Sequence, residues 1–312
     1  MRCKWLLIAL LSAACGGRTA VEGDLAPSTS DGGDVRPANS FDWDQLIWDD
    51  VLPEAVTYLW TGSVTNTWAV VSDDSGAFQR EHWDGTSWTR TAAVNDPSAR
   101  FDKSQIWSSA SNEAFAGSST HVQRWLGNAW SDWAGIPGCR AVGGSAANQL
   151  WCATDTELWK FDGAQWTRQA MAGIRGILAR ARDDVWVWGE LGARHFDGVR
   201  WSLEFVGLVK RVSASGPNDV WLVHDGNLFH ATKLGSTWVR HNPTGGQIAS
   251  VWSESPTNTW VVAAGAAMRW NGASWQLMPL PMQDERLLIS GSSEDIWIAG
   301  TQMLIHGHPL RR

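Results

Sequence analysis

The stretch HWDGTSWTR, residues 82–90, places two tryptophans five positions apart with an Asp-Gly pair between them. Closely similar stretches recur at 160–168, 195–203 and 269–277. An Asp-Gly or Asn-Gly pair between two short runs with alternating apolar residues is typical of a β-hairpin turn. The same hairpin motif therefore occurs several times, and the sequence predicts a fold that is built from repeated units.

A second motif, seen clearly in NDVWLV at 218–223, occurs seven times and centres on an aromatic residue that we call the anchor. The anchors are Trp68, Phe115, Trp151, Trp186, Trp221, Trp260 and Trp297. Successive anchors are between 35 and 47 residues apart, which is typical of propeller blades. An aliphatic residue stands nine positions before every anchor and a small residue seven before it, and such alternation indicates a β-strand. Each repeat thus opens with a hairpin of strands a and b, and the Asp-Gly motif supplies strands c and d.

The second tryptophan of the Asp-Gly motif is present six times, and the last repeat lacks it. Trp43 and Trp48 have the same spacing but precede the first complete repeat. We therefore predict an all-β fold, a seven-bladed β-propeller of four-stranded antiparallel blades over residues 41–312. An N-terminal strand at 44–51 is expected to join the strand around Met303–His306 of the last blade, because closing the ring removes exposed sheet edges.

The repeats also resemble known propeller families. The Trp-Asp pairs resemble WD repeats, although the histidine partner of those repeats is absent, and Gly143-Gly144 resembles the Gly-Gly pair of kelch repeats. The stretch from Trp133 through IPG at 136–138 to Val142 is more similar to tectonin-type repeats. These resemblances span residues 41–312; they imply the propeller architecture and assign no single family.

The N-terminal segment is typical of a targeting signal. MRCKWLLIALLSAAC has a basic start, a short apolar run and small residues before Cys15. Its end resembles the bacterial lipobox, which implies a signal peptide at 1–14 and lipid attachment at Cys15. The alternative is an ordinary secretory signal that is cut near Ala14 or Ala20. Residues 15–40 then form the lipidated cysteine and a disordered tether that is rich in Gly, Ser, Asp and Pro.

The lipobox resemblance implies a protein of the bacterial cell envelope whose partner at this end is the lipid bilayer. Gly16 follows the cysteine, whereas an Asp there often marks retention in the inner membrane of such families, so we expect the outer membrane. An exported protein experiences oxidising conditions. Cys139 and Cys152, the two cysteines outside the signal region, are expected to lie on strands a and b of one hairpin, either as a disulfide or as two buried free thiols.

Three tryptophans are not required by the repeat. Trp60, Trp107 and Trp252 stand eight positions before their anchors, where the other repeats have Gly, Leu, Ser or Ile. Because strand a is the innermost strand of a blade, their rings are candidates for stacking on a sugar or an apolar ligand around the central axis. The alternative is irregular packing between blades.

The sequence shows no motif for a catalytic residue, a metal site or a cofactor, and its eight histidines are scattered. The net charge of −7 and the lack of a Lys or Arg stripe argue against nucleic acid. We therefore expect a monomeric, non-catalytic binding module for a glycan or an envelope protein. The alternative is a hydrolase-like propeller enzyme with active-site residues on loops.

Overall fold

The structure is a computed structural model, and it describes residues 41–52, 55–73, 75–92, 105–232, 235, 237–280, 284, 286–301 and 303–311. For residues 41–52 and 309–311 the description covers the backbone. The sequence-based assignments to 1–14 and 15–40, including lipidation of Cys15, lie outside the described residues. No helix in the described ranges is long and apolar enough to cross a membrane.

The described chain forms seven four-stranded antiparallel sheets, which confirms the predicted fold class. Blade 1 contains β2 (Ala55–Ser63), β3 (Asn66–Ser72), β4 (Phe78–Trp83) and β5 (Trp88–Thr91), and blade 2 contains β6 (Ile106–Ala110), β7 (Glu113–Gly117), β8 (Val122–Trp125) and β9 (Trp130–Ala134). Blade 3 contains β10 (Ala141–Ala146), β11 (Gln149–Ala153), β12 (Glu157–Phe161) and β13 (Trp166–Ala170), and blade 4 contains β14 (Ile174–Ala181), β15 (Asp184–Gly189), β16 (Gly192–Phe196) and β17 (Trp201–Phe205).

Blades 5 to 7 repeat the pattern. Blade 5 contains β18 (Val209–Gly216), β19 (Asp219–His224), β20 (Asn227–Ala231) and β21 (Val239–His241), and blade 6 contains β22 (Ile248–Ser255), β23 (Asn258–Ala263), β24 (Ala266–Trp270) and β25 (Trp275–Pro279). Blade 7 contains β26 (Leu288–Gly291), β27 (Ile296–Ala299), β28 (Leu304–Arg311) and β1 (Phe41–Leu52). In each blade the strands are ordered a to d from the first-named strand, and the a strands of neighbouring blades contact one another around the central axis.

Blade 7 takes its outer strand from the other end of the propeller. β1 pairs antiparallel with β28, and Trp48 lies opposite Gly307 in the register. Packing joins the same two ends, because Trp297 of blade 7 shares a hydrophobic cluster with Val56 and Leu59 of blade 1. The backbone N–H of Val56 also donates to the carbonyl of Gly300 at 3.1 Å.

The core lies between blades, and the anchors are its centre. Each cluster combines strands of two successive blades, as where Trp68 of blade 1 packs with Ile106 and Ala114 of blade 2. All seven anchors are buried. Burial of a tryptophan removes a large apolar area from water, so the seven interfaces are the main source of hydrophobic stabilisation.

A polar network accompanies the anchors. Two positions before the anchor stands an Asn, Asp, Glu or Gln, and in four blades its oxygen accepts the anchor's indole N–H. The same acceptor group contacts a histidine on strand c in four blades. The pairs are Asn66–His82, Asp184–His195, Asp219–His230 and Asp295–His306. These histidines have a structural role, since each contacts a buried or partly buried acceptor beside an anchor.

Candidate ligand-binding channel

The a strands of all seven blades surround a central channel that has two adjoining spaces. The inner one, which we call the chamber, has a volume of about 280 Å³. The outer one, which we call the mouth, has a volume of about 680 Å³ and is lined where the a strands begin. Four residues line both spaces and define the throat between them: Tyr58, Gln105, Arg211 and Leu288.

The three tryptophans that the sequence singles out line the same chamber. Trp60, Trp107 and Trp252 are half-buried, and each packs against a hydrophobic cluster between blades. A Cβ built on Gly144 would lie 2.8 Å from Cζ3 of Trp107, so that ring covers the a strand of the next blade. The structure thus brings the three rings together at the channel and also packs them between blades. Their role in ligand binding stays a prediction.

A fourth tryptophan lines the chamber, and sequence reasoning missed it. Trp188 lies on strand b of blade 4, and its indole covers Gly176 of strand a, where a Cβ would lie 2.2 Å from Cζ2 of Trp188. Its Nε1–H donates to the carbonyl of Lys210 in the next blade at 3.3 Å. The glycine on the paired strand is the sequence signal that could have identified it, because only glycine leaves room for the indole.

The mouth is basic. Five cationic side chains line it: Arg140, Arg175, Lys210, Arg211 and Arg286. Four of them stand at one repeat position, eleven residues before the anchor. The described residues that line the mouth include no Asp or Glu. Sequence reasoning missed this cluster because the positions are spread over residues 140–286, and extending the repeat alignment two positions toward the N-terminus would have shown it.

Two of the five cations have a carboxylate partner. Arg140 pairs with Asp155 at 3.1 Å and Arg175 with Glu190 at 2.9 Å, and both pairs are exposed, so each is of small energetic weight. In the part of the chain that the structure describes, the side chains of Lys210, Arg211 and Arg286 have no such partner. The mouth therefore carries excess positive charge in a protein whose net charge is −7.

Arg211 and Tyr58 are two of the three polar residues of the throat, and Gln105 is the third. Nη1 of Arg211 donates to the carbonyl of Lys210 at 3.0 Å. Burial lowers the pKa of Arg211, and the neighbouring Tyr58 opposes that shift. Burial raises the pKa of Tyr58 well above its usual range, and the charge of Arg211 acts in the opposite direction. A neutral phenol and a cationic guanidinium hence face the channel at neutral pH, and both can donate hydrogen bonds to an anion.

The chamber beyond the throat is mainly apolar with some hydroxyl groups. Leu178, Val251 and Ile289 line it beside the tryptophans, together with Ser213 and Ser253. Neither space has a histidine or a carboxylate among its described lining residues. Within the same described part, no three His, Cys, Asp or Glu side chains are placed to hold a metal ion. The lining as described supplies hydrogen-bond donors, positive charge and aromatic surface, which is the chemistry of recognition.

Cys139 and Cys152 form a disulfide in the structure, with Cα atoms 5.8 Å apart. Cys152 lies on β11 as the sequence indicates, but Cys139 lies just before β10 rather than on strand a. Both residues are buried against Phe115 and Val122 of blade 2. The disulfide thus lies in the interface between blades 2 and 3, away from the residues that line the channel.

No protein-family model matches the chain, and no curated protein matches it. The fold is similar to that of solved propellers. YCF48 bound to D1 peptide has 13% identity and a TM-score of 0.63, over 87% of this chain and 99% of that chain. YCF48 from Cyanidioschyzon merolae has 16% identity and a TM-score of 0.61, over 84% of this chain and 98% of that chain. The WD40 repeats of RRP9 have 10% identity and a TM-score of 0.64, over 87% of this chain and 100% of that chain. This likeness shows a shared propeller architecture.

Proposed function

We propose that the propeller is a non-catalytic binding module whose site is the central channel and whose ligand is an acidic segment of a protein partner. The observation that carries this proposal is the basic mouth, where five cations surround a space of about 680 Å³ above a chamber lined by four tryptophans. Guanidinium groups bind carboxylates through paired, charge-assisted hydrogen bonds. The five cations repel one another when nothing is bound. The cluster therefore contributes little to the stability of the free protein.

The fold neighbours give independent support for a peptide ligand. One of them, YCF48, has been solved bound to D1 peptide, so a propeller of this shape accommodates a peptide. The mouth here has a volume of about 680 Å³, which is within the usual range of ligand pockets and more than twice that of the chamber. We take an acidic peptide as the ligand class on the combined grounds of charge and size.

A glycan is the second candidate, and the aromatic chamber is the observation that favours it. Four tryptophans line this space: Trp60, Trp107, Trp188 and Trp252. Sugar recognition uses the open face of an aromatic ring, whereas Trp107 and Trp252 pack closely on Gly144 and Gly291 of the next blade. The packed rings make the glycan the weaker candidate.

The test compares displayed peptide libraries of acidic, neutral and basic composition with a glycan array. We expect the wild-type protein to enrich acidic peptides, and the triple variant R140E/R175E/K210E to lose that enrichment. The matched control is R168E/R200E/R240E, which reverses three exposed arginines that do not line the channel. Binding of glycans without enrichment of acidic peptides would replace the proposal with a lectin, and equal loss in the control would show that net charge alone is responsible.

We further propose that the propeller is held at the bacterial cell envelope, in the outer membrane, by lipid on Cys15, on the strength of the lipobox-like LSAAC and the polar stretch at 16–40. A lipid-anchored binding module can present its channel to partners at a membrane surface. The C15A variant should lose labelling by a palmitate analogue and leave the membrane fraction. Labelling that is unchanged in C15A would reject the anchor and favour an ordinary secretory signal.

A further inference from the structure

We infer that the throat of the channel is a binding site for a single carboxylate, which Arg211 and Tyr58 hold together. This inference deepens the proposed function, because it names the group of the ligand that enters the channel. It rests on Tyr58 and on one member of the mouth's charge cluster, Arg211. Four of the five basic residues line only the mouth, whereas Arg211 also lines the chamber.

The first argument is the hydrogen-bonding state of the two side chains. The guanidinium of Arg211 donates to the carbonyl of Lys210, and within the described residues it has no carboxylate partner. The phenol O–H of Tyr58 has no partner among the described residues either. The other N–H groups of Arg211 and the O–H of Tyr58 line the same channel and are available to donate to a bound group. An acceptor from outside would complete these hydrogen bonds.

The second argument concerns charge and selects a carboxylate. Among the four residues of the throat, Arg211 carries the only charge and Tyr58 and Gln105 are neutral. The amide nitrogen of Gln105 already donates to the carbonyl of Arg175 at 2.8 Å. One guanidinium and one phenol match the charge and acceptor number of a monoanionic carboxylate. A phosphate dianion would leave uncompensated charge beside the apolar side chain of Leu288.

The third argument concerns access and size. The wide, basic space lies on one side of the throat and the small, mainly apolar space on the other. A carboxylate at the end of a chain or side chain reaches the throat from the mouth. A small acid with an apolar tail can instead extend that tail into the chamber. The chemistry common to both sources is a carboxylate whose neighbouring atoms are apolar.

The carbonyl of Lys210 provides a spectroscopic reporter for the site. It accepts from Nη1 of Arg211 and also from Nε1 of Trp188. A carboxylate that attracts the guanidinium of Arg211 changes the hydrogen bonding at this shared carbonyl. The indole N–H resonance of Trp188, assigned by its loss in W188F, should therefore shift when the site fills.

The first experiment titrates acetate, 3-methylbutanoate and inorganic phosphate into the full chain and follows the Trp188 indole resonance. We expect saturable shifts with both carboxylates and tighter binding of 3-methylbutanoate, because its tail reaches the apolar chamber. R211M should weaken carboxylate binding about tenfold to a hundredfold, since a hydrogen bond to a charged group is lost. Y58F should weaken it by a smaller factor, and R211K should restore part of the loss. Phosphate that binds as tightly as the carboxylates, or binding that is unchanged in R211M, would overturn the inference.

The second experiment separates the sources with peptides. One set has a free C-terminal carboxylate and no acidic side chain, one has internal Glu and an amidated C-terminus, and one has neither. The preferred set identifies the source, provided that R211M removes the preference. The mouth variant R140E/R175E/K210E should weaken all acidic peptides but leave the small carboxylates bound. If the wild-type protein binds acetate but none of the acidic peptides, the proposed function is rejected and the throat site stands.

Folding of each variant is checked by its melting temperature, and Y58F removes one oxygen while keeping the ring. A variant that melts like wild type and still binds 3-methylbutanoate as wild type does would contradict the role assigned to that side chain.

Discussion

Nε2 of His82 lies 3.1 Å from the amide oxygen of Asn66 in blade 1, where three other blades place an Asp carboxylate beside their histidine. His82 is buried and its ring stacks on the anchor Trp68 with a centroid distance of 4.3 Å. Burial lowers the pKa of His82 to about 4, and the charge of Asp84 only partly opposes this shift. Blade 1 thus contains a buried histidine whose partner is an amide and which is neutral in the folded protein at neutral pH.

This relationship predicts a loss of stability in mild acid. The pKa of His82 is lower in the folded state than its unfolded value of 6.5, so the unfolded state takes up the proton first. The free energy of unfolding should fall as pH drops from 6.5 to about 4, by at most about 3 kcal/mol from this group. Denaturant unfolding between pH 7 and pH 4 measures it.

N66D supplies the missing carboxylate and should reduce that loss, because a nearby negative charge raises the pKa of His82. H82Q removes the titrating group and should also reduce the pH dependence over this range. If the free energy of unfolding of H82Q fell between pH 7 and pH 4 as much as that of wild type, another group would be responsible.

Reduction of the disulfide between Cys139 and Cys152 should destabilise the propeller. The two residues are 13 positions apart, and closing a loop of about this length contributes on the order of 3 kcal/mol through the entropy of the unfolded chain. The melting temperature should fall in the presence of reductant and in C139A/C152A. Reductant should have no effect on the double variant; a further decrease there would show that it acts elsewhere.

The frame could be predicted from sequence because it is repeated. Seven anchors at a regular spacing predict the number of blades, the order of the strands and the core residues, because every blade packs against its neighbour in the same way. The basic mouth could not be read in the same way, because Arg140 and Arg286 are far apart in sequence and meet only when the ring forms. Nor could the throat, since Tyr58 and Arg211 come from blades 1 and 5 and no local pattern links them.

The chamber tryptophans show a related limit. The sequence singles out Trp60, Trp107 and Trp252 because they depart from the repeat at one position, whereas Trp188 lies on strand b and is accommodated by Gly176 across the sheet. A residue that departs from a repeat can be found by comparing the same strand in every blade. A tryptophan that is accommodated by a glycine on the neighbouring strand can be found only when the register between the two strands is known.

Gly144 should not tolerate even a methyl group. An added Cβ would lie 2.7 Å from Cδ2 of Leu150 and 2.8 Å from Cζ3 of Trp107, which is closer than such atoms approach. G144A should destabilise the protein by about 1–3 kcal/mol, because overpacking forces neighbouring side chains off their preferred positions. The matched control is G135A, where nothing lies within 4 Å of the added Cβ. Equal melting temperatures for the two variants would contradict the packing of Trp107 on blade 3.

Closure of the ring gives the largest expected effect. β1 and β28 pair over eight register positions, from Phe41 opposite Arg311 to Leu52 opposite Leu304. Deleting residues 1–52 removes this ladder and leaves β28 as an open edge. We expect a loss of several kcal/mol, a large share of the ~5–15 kcal/mol that stabilises a typical protein. Deleting residues 1–38 keeps β1 and should leave the melting temperature almost unchanged.

Because an open edge accepts a free strand, a synthetic peptide of residues 39–52 should restore stability to the longer deletion and leave the shorter one unaffected. Equal melting of the two deletions, or a peptide that raises both alike, would refute the contribution of this strand to the ring.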